Sequence, residues 1–357
     1  MALILLLLLA LALALSLSGC TADQADSEAW QRAHLQAITF GTSDSLTRTA
    51  QGTLSLEGGG GGESLHDVGF GVFACHTGLH PYVSSDVTQN FMCNQQVSWD
   101  ATNQVFDYSP VVYWPAPVEG LLPYVSFFAY APYAAQPGTG STPADRCIVD
   151  MTLPVETGDP WLVYQLGGTE DDWQSHQVDL VYDFRRDQQQ DVASGRVNFQ
   201  FRHALACAGD QLTVTCGTAM QQSLRSAYSG ESVTLTLTRL QVTYTLLRKG
   251  ILRLNGTTGP NWQAVASEDP TVRRRLTFTP NQVLATATSA SDCTLTDFSV
   301  SDQGIFYIPL TVPGNPQRID ITVDYVTSLG TTGTRSTTAD LTSAAQASQN
   351  RNLRIVL

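Results

Sequence analysis

Phe106-Asp107-Tyr108-Ser109-Pro110, Tyr113-Trp114-Pro115 and Val125-Ser126-Phe127-Phe128-Ala129-Tyr130-Ala131-Pro132-Tyr133 decide the fold class. Aromatic and β-branched residues recur at period two, and prolines bound each run. A proline can end a sheet strand or lie at its edge but cannot sit inside one, so these are extended strands and not helix. Within the last run Val125, Phe127 and Ala129 point one way and Ser126, Phe128 and Tyr130 the other. Both faces carry bulk, so both need cover, as in the interior of a sandwich.

Outward from this stretch, the second half alternates more cleanly. Val197, Phe199 and Phe201 alternate with Asn198, Gln200 and Arg202. Val233, Leu235 and Leu237 alternate with threonines, and Leu240, Val242, Tyr244 and Leu246 follow in the same manner. Such strands have one buried and one wet face. With 276–279, 305–310, 319–325 and 353–357 they make seven or eight strands, the number suited to a two-sheet sandwich with Greek-key connections. Only 14% of residues are charged, too few for exposed helices, whose faces normally carry Glu and Lys. The fold class is all-β: two tandem β-sandwich domains.

Met1 to Leu15 is almost unbroken apolar sequence, short for a membrane span of about 20 residues, and it ends in Leu17-Ser18-Gly19-Cys20. That tetrad is a lipobox, in which the cysteine is acylated and becomes the mature N-terminus. The expected organisation is a leader at 1–19, a polar tether at 20–34, a first domain at 35–190 and a second at 191–357. The Gln- and Asp-rich stretch 185–195 marks the boundary, and two domains suit a chain longer than one core usually serves. Ala37-Ile38-Thr39-Phe40 reads as a first short strand. Five glycines, Gly58 to Gly62, read as a flexible connection; no lysine follows them, which excludes a phosphate loop.

The net charge is −13, with Lys249 the sole lysine and Arg273-Arg274-Arg275 the longest basic run. Nucleic-acid binding needs concentrated positive charge and is excluded as a function class. His76 and His80 flank Gly78 beside Pro81, where a spacing of four does not bring two rings onto one metal. Glu170-Asp171-Asp172 lacks the alternating ligands of a calcium loop and reads as a solvated acidic turn. His203, at a strand end, has no serine or cysteine nucleophile with a recognisable elbow near it. No catalytic residue, metal site or cofactor is expected. Cys75, Cys93, Cys147, Cys207, Cys216 and Cys293 allow up to three disulfides, with Cys207 and Cys216 placed to staple a hairpin, or serve as small buried residues.

The order Gly71-Val72-Phe73-Ala74, Val97-Ser98-Trp99, Tyr113-Trp114-Pro115 and Phe127-Phe128-Ala129-Tyr130-Ala131-Pro132 resembles the N-terminal domain of the fimbrillin-type proteins of Bacteroidetes. Val197 to Ala206 resembles the strand opening that family's second domain. The resemblance implies transthyretin-like sandwiches and a role as a structural or adhesive fimbrial subunit, with other subunits and a host protein or glycan as partners. It implies an outer-membrane lipoprotein precursor held by lipid on Cys20; Asp23, Asp26 and Glu28 resemble the acidic surface-export stretch of such lipoproteins. It also implies removal of an N-terminal segment by an arginine-specific protease and filling of the vacated groove by a neighbour's strand. Arg48 is the expected cut site and Thr49 the new start. Nothing beyond Leu353 to Leu357 reads as a donor strand, which favours a tip or accessory subunit, with a membrane-retained anchor as the alternative. A second reading is a surface lipoprotein binding glycans on Trp161, Trp173 and Trp262.

Overall fold

A computed structural model describes residues 36–43, 46, 53–57, 63–190, 195–341 and 350–357. The described residues are mainly β, with short helical turns and, among them, one longer helix, α1 (Thr218–Ser226).

The first sheet takes β1 (Thr39–Thr42), β2 (Phe70–Gly78), β3 (Met92–Asp100), β4 (Val105–Asp107), β5 (Tyr124–Ala131), β8 (Val181–Gln188), β9 (Arg196–Phe199) and β10 (Arg202–His203) in the order β10-β8-β5-β2-β3-β4-β1-β9. Its two edge strands, β9 and β10, are separated in sequence only by Gln200 and Phe201, so the edges lie side by side and the sheet rolls into a flattened barrel. Asp183 on β8 fastens the seam: the Gln200 amide donates to its Oδ2 at 2.7 Å, and Arg185 Nη2 lies 3.0 Å away. Ile38, Phe40, Phe70, Val72, Val97, Phe106, Trp114, Val125, Phe127, Ala129, Val197, Phe199 and Phe201 fill the interior.

The opposite face of β2, β5 and β8 is buried as well. Phe73, Cys75, Phe128, Tyr130 and Tyr182 pack into a second, larger core. The double burial expected of β5 is therefore present: Val125, Phe127 and Ala129 face the barrel, while Phe128 and Tyr130 face the rest of the molecule. Ser126 is buried too, its hydroxyl accepting the Asp187 amide at 2.9 Å. Gly71 is required between them, because a Cβ there would lie 2.4 Å from the Tyr130 ring.

A four-stranded sheet joins β6 (Ile148–Met151) and β7 (Trp161–Gln165) to β13 (Lys249–Arg253) and β14 (Asn261–Ala264) in the order β14-β13-β7-β6. The remaining strands form two sheets. One has β11 (Ala206–Thr215) at its centre, with β18 (Phe298–Val300), β19 (Ile305–Tyr307) and, parallel to it, β22 (Asn350–Val356). The other is built on β12 (Val233–Leu247), flanked by β15 (Thr271–Phe278), β16 (Gln282–Ala287), β17 (Cys293–Leu295), β20 (Arg318–Thr327) and β21 (Thr332–Asp340). More strands follow residue 195 than the seven or eight expected. Those missed are short, as β17 and β18 are, or lack apolar alternation, as in the exposed Thr332–Asp340.

Pairing crosses residue 190 at several points: β13 pairs with β7, β9 with β1 and β10 with β8. The Leu254 amide also donates to Pro160 O at 2.9 Å, and the Leu166 amide to Arg248 O at 3.0 Å.

Among the described residues all six cysteines are free; of the two readings of Cys207 and Cys216, hairpin staple or small buried residues, the structure has the second. Both lie along one run of chain, Cys207 near the start of β11 and Cys216 just past its end. At about 3.3 Å per residue an extended strand holds such positions on the order of 30 Å apart.

Candidate functional site

The strand Thr39–Thr42, β1, occupies a slot between β4 and β9. β1 runs parallel to β9 over Thr39–Thr42 and meets β4 at the antiparallel pair Phe40 and Phe106. Above it, the Ile38 amide donates to Val112 O at 2.9 Å, the Trp114 amide to Gln36 O at 3.0 Å, and the Tyr108 hydroxyl to Ile38 O at 3.0 Å. Below, Thr39 N donates to Gly195 O at 2.8 Å and Ser43 N to Phe199 O at 3.0 Å.

Ile38 and Phe40 are buried. The Phe40 ring is surrounded by Tyr108 at 5.2 Å, Phe199 at 5.8 Å, Phe127 at 6.0 Å and Phe70 at 6.3 Å between centroids, mostly edge-on or tilted, the arrangements aromatic pairs prefer. Period two carries both Ile38 and Phe40 inward, which is why so short a segment anchors so firmly.

Leu54 re-enters this core independently of β1. Its side chain is buried, and its amide donates to Asp179 Oδ2 at 3.1 Å; the same carboxylate oxygen lies 2.8 Å from His203 Nδ1. His203 is thus a fully buried structural partner, as its place at a strand end led one to expect. Asp179 had no signal in the sequence, since a lone aspartate between Val178 and Leu180 gives no hint of a buried pairing.

Cys20, Arg48 and Thr49, the expected lipidation and processing residues, lie outside the described residues, as do Gly58 to Gly62. Arg48 stands in sequence between Thr42, the last residue of β1, and Leu54.

His76 ends up on β2 and His80 beyond the turn at Gly78; burial lowers the His76 pKa, and no metal-ligand cluster exists among the described residues. Glu170 does not simply face solvent: it pairs with Arg275 and lies 4.0 Å from Arg273. Of the three tryptophans expected to form a platform, Trp173 and Trp262 are buried, which overturns that reading. Their indole N–H groups donate to Arg275 O and Ala204 O, and their rings pack edge-on against Tyr244 and Tyr164. Indoles satisfied at the N–H and enclosed at the faces leave nothing for a sugar to stack on.

Arg274 was read only as part of a basic run, yet it is nearly fully buried. Its guanidinium donates to Gly167 O at 2.9 Å and Gly168 O at 3.0 Å.

No family model matches the chain. The fimbrium subunit Fim1C of Phocaeicola vulgatus is 31% identical over 144 residues, 39% of this chain and 35% of that protein, so the chain matches about a third of this curated relative's length. Among solved structures, a Bacteroides uniformis protein provisionally described as a cell adhesion protein aligns over 91% of this chain and 93% of its own, at 11% identity and a TM-score of 0.43. The fimbrial anchor protein Mfa2 of Porphyromonas gingivalis aligns over 80% and 77%, at 10% identity and a TM-score of 0.29. Over that matched stretch the chain is similar to a fimbrium subunit of a Bacteroidetes species, in agreement with the strand motifs that resemble the fimbrillin-type proteins.

Proposed function

We propose that the chain is a structural subunit of a cell-surface fimbria, exported as a lipoprotein precursor acylated at Cys20. On this reading cleavage after Arg48 releases β1, and a strand from a neighbouring subunit takes its place. The observation that carries the reading is the separability of β1: it is held by one slot, while Leu54 is pinned to Asp179 on its own account. A cut between Thr42 and Leu54 would bare the slot without freeing the chain that follows.

The magnitudes are suitable. Ile38 and Phe40, at about 1.5–3 kcal/mol per buried side chain, contribute roughly 3–6 kcal/mol together. The bared slot would also lose the donors that satisfy Val112 O, Gly195 O and Phe199 O. Unmet buried backbone groups cost about 1–3 kcal/mol each, so the empty slot is a strong acceptor for any extended segment with apolar residues two apart. Substrate turnover has no place in this reading, and the similarity is to a fimbrium subunit.

An arginine-specific protease acting on the purified protein tests this. The expected products are a chain beginning at Thr49 and a segment that stays bound until a synthetic peptide with apolar residues at alternate positions displaces it. Arg48→Ala should resist the cut. Cleavage elsewhere, or unfolding on release of the segment with no peptide capture, would contradict the proposal.

A further inference from the structure

On the side of the molecule built from β6, β7, β13 and β15, a cleft of about 740 Å³ is lined by Arg146, Arg248, Arg273 and Arg274, with Glu170 and Asp269 as its carboxylates. In a chain of net charge −13 with nineteen cationic residues, four arginines around one opening against two acids is a local reversal of sign. The carboxylates are already engaged. Asp269 is held by Arg248, and Glu170 by Arg275.

Arg274 forms the floor. It is 4% exposed, and among the described residues no carboxylate pairs with it. Its Nη2 is held by Gly167 O and Gly168 O, and its Nη1 by Arg273 O at 3.0 Å. Gly168 adopts φ +75°, and a Cβ there would lie 2.3 Å from Asp172 O, so only glycine lets those carbonyls turn onto the guanidinium. Burial and neighbouring Arg248 lower the Arg274 pKa, with Glu170 opposing. A buried cation hydrogen-bonded to carbonyl dipoles and to no carboxylate is costly, and an anion in the cleft would relieve it.

Above the floor, Arg146 is exposed and has no ion-pair partner among the described residues, and Arg273 is 61% exposed at 4.0 Å from Glu170. Both are available to a ligand. Guanidinium forks match carboxylate and sulfate groups in two-point contacts. The remaining polar lining, Gln165, Thr169 and Thr271, offers amide and hydroxyl partners for ligand hydroxyls. We infer that this cleft binds an acidic oligosaccharide, its carboxylate or sulfate groups held by Arg146 and Arg273 over the Arg274 floor. The site is separate from the β1 slot and does not depend on strand exchange.

Binding of fluorescent trigalacturonate, which carries carboxylates only, and of a heparin-derived tetrasaccharide, which adds sulfates, would be measured by anisotropy on the purified full-length protein, with maltotetraose as the neutral control. Binding of either acidic sugar and not of maltotetraose is expected, with the two arms distinguishing carboxylate from sulfate recognition. Arg146→Gln with Arg273→Gln should weaken it at least about tenfold per arginine, the usual worth of a charged hydrogen bond, while leaving the thermal unfolding midpoint unchanged. Equal binding of maltotetraose would overturn the inference, as would unchanged affinity in the double variant or no binding of either acidic sugar at about 1 mM.

Discussion

At the scale of single residues, burial governs the cysteines. Among the described residues Cys75, Cys147, Cys207 and Cys216 are enclosed, and Cys93 and Cys293 are partly open. Desolvation, reinforced by Asp159, pushes the Cys75 thiol up to about 12; desolvation likewise raises Cys147 and Cys216 to about 11. A thiol with a raised pKa holds its proton until the pH climbs to that value, so these three stay neutral and unreactive in mildly alkaline buffer. In the chain beginning at Thr49, which lacks Cys20, Ellman's reagent should therefore modify Cys93 and Cys293 in the native protein and all six remaining thiols only after denaturation. Fewer than six in denaturant would reveal a disulfide. The spacing of cysteines could not decide this, because whether two thiols meet depends on which strands become neighbours. The tryptophans teach the same lesson: an indole is equally at home on a surface platform or inside a core, and Trp173 and Trp262 took the core.

At the scale of elements, period-two patterning was legible wherever strands bury apolar side chains. β5, β9 and β12 were evident for that reason. In β12 the pattern even shifts phase, from Val233, Leu235 and Leu237 to Leu240, Val242, Tyr244 and Leu246. The structure supplies the cause: Leu237 pairs with Tyr325 but Arg239 with Asp324, so Thr238 is an extra residue in a β-bulge. Deleting Thr238 should turn the four later side chains to the wrong face. At about 1.5–3 kcal/mol each that loss reaches the whole stability of a domain, about 5–15 kcal/mol, and soluble folded protein should not be recovered. Gln241→Ala on the same strand should change stability by less than about 0.5 kcal/mol in urea unfolding. Full stability after the deletion would refute the bulge as the register-setting device. β21 escaped notice because its sequence, Thr332 to Asp340, buries almost nothing and holds to the sheet only by its ladder with β20.

Across the whole molecule, one large core joins the outer face of the barrel to all the sheets beyond it. Strand partners drawn from both sides of residue 190 could not be foreseen, since pairing between β7 and β13 is a matter of topology that neither segment's composition encodes. The barrel, by contrast, closes over a core of its own and keeps β1 in a seam between β4 and β9. On the proposed reading, β1 is the strand that leaves, and the larger core is what supports the rest of the fold during strand replacement. The most direct test is the N-terminal sequence and unheated gel mobility of the protein recovered from its native cell surface. The account predicts a start at Thr49 and a high-mass form that collapses on boiling. An intact, acylated Cys20 on a single monomeric band would contradict it.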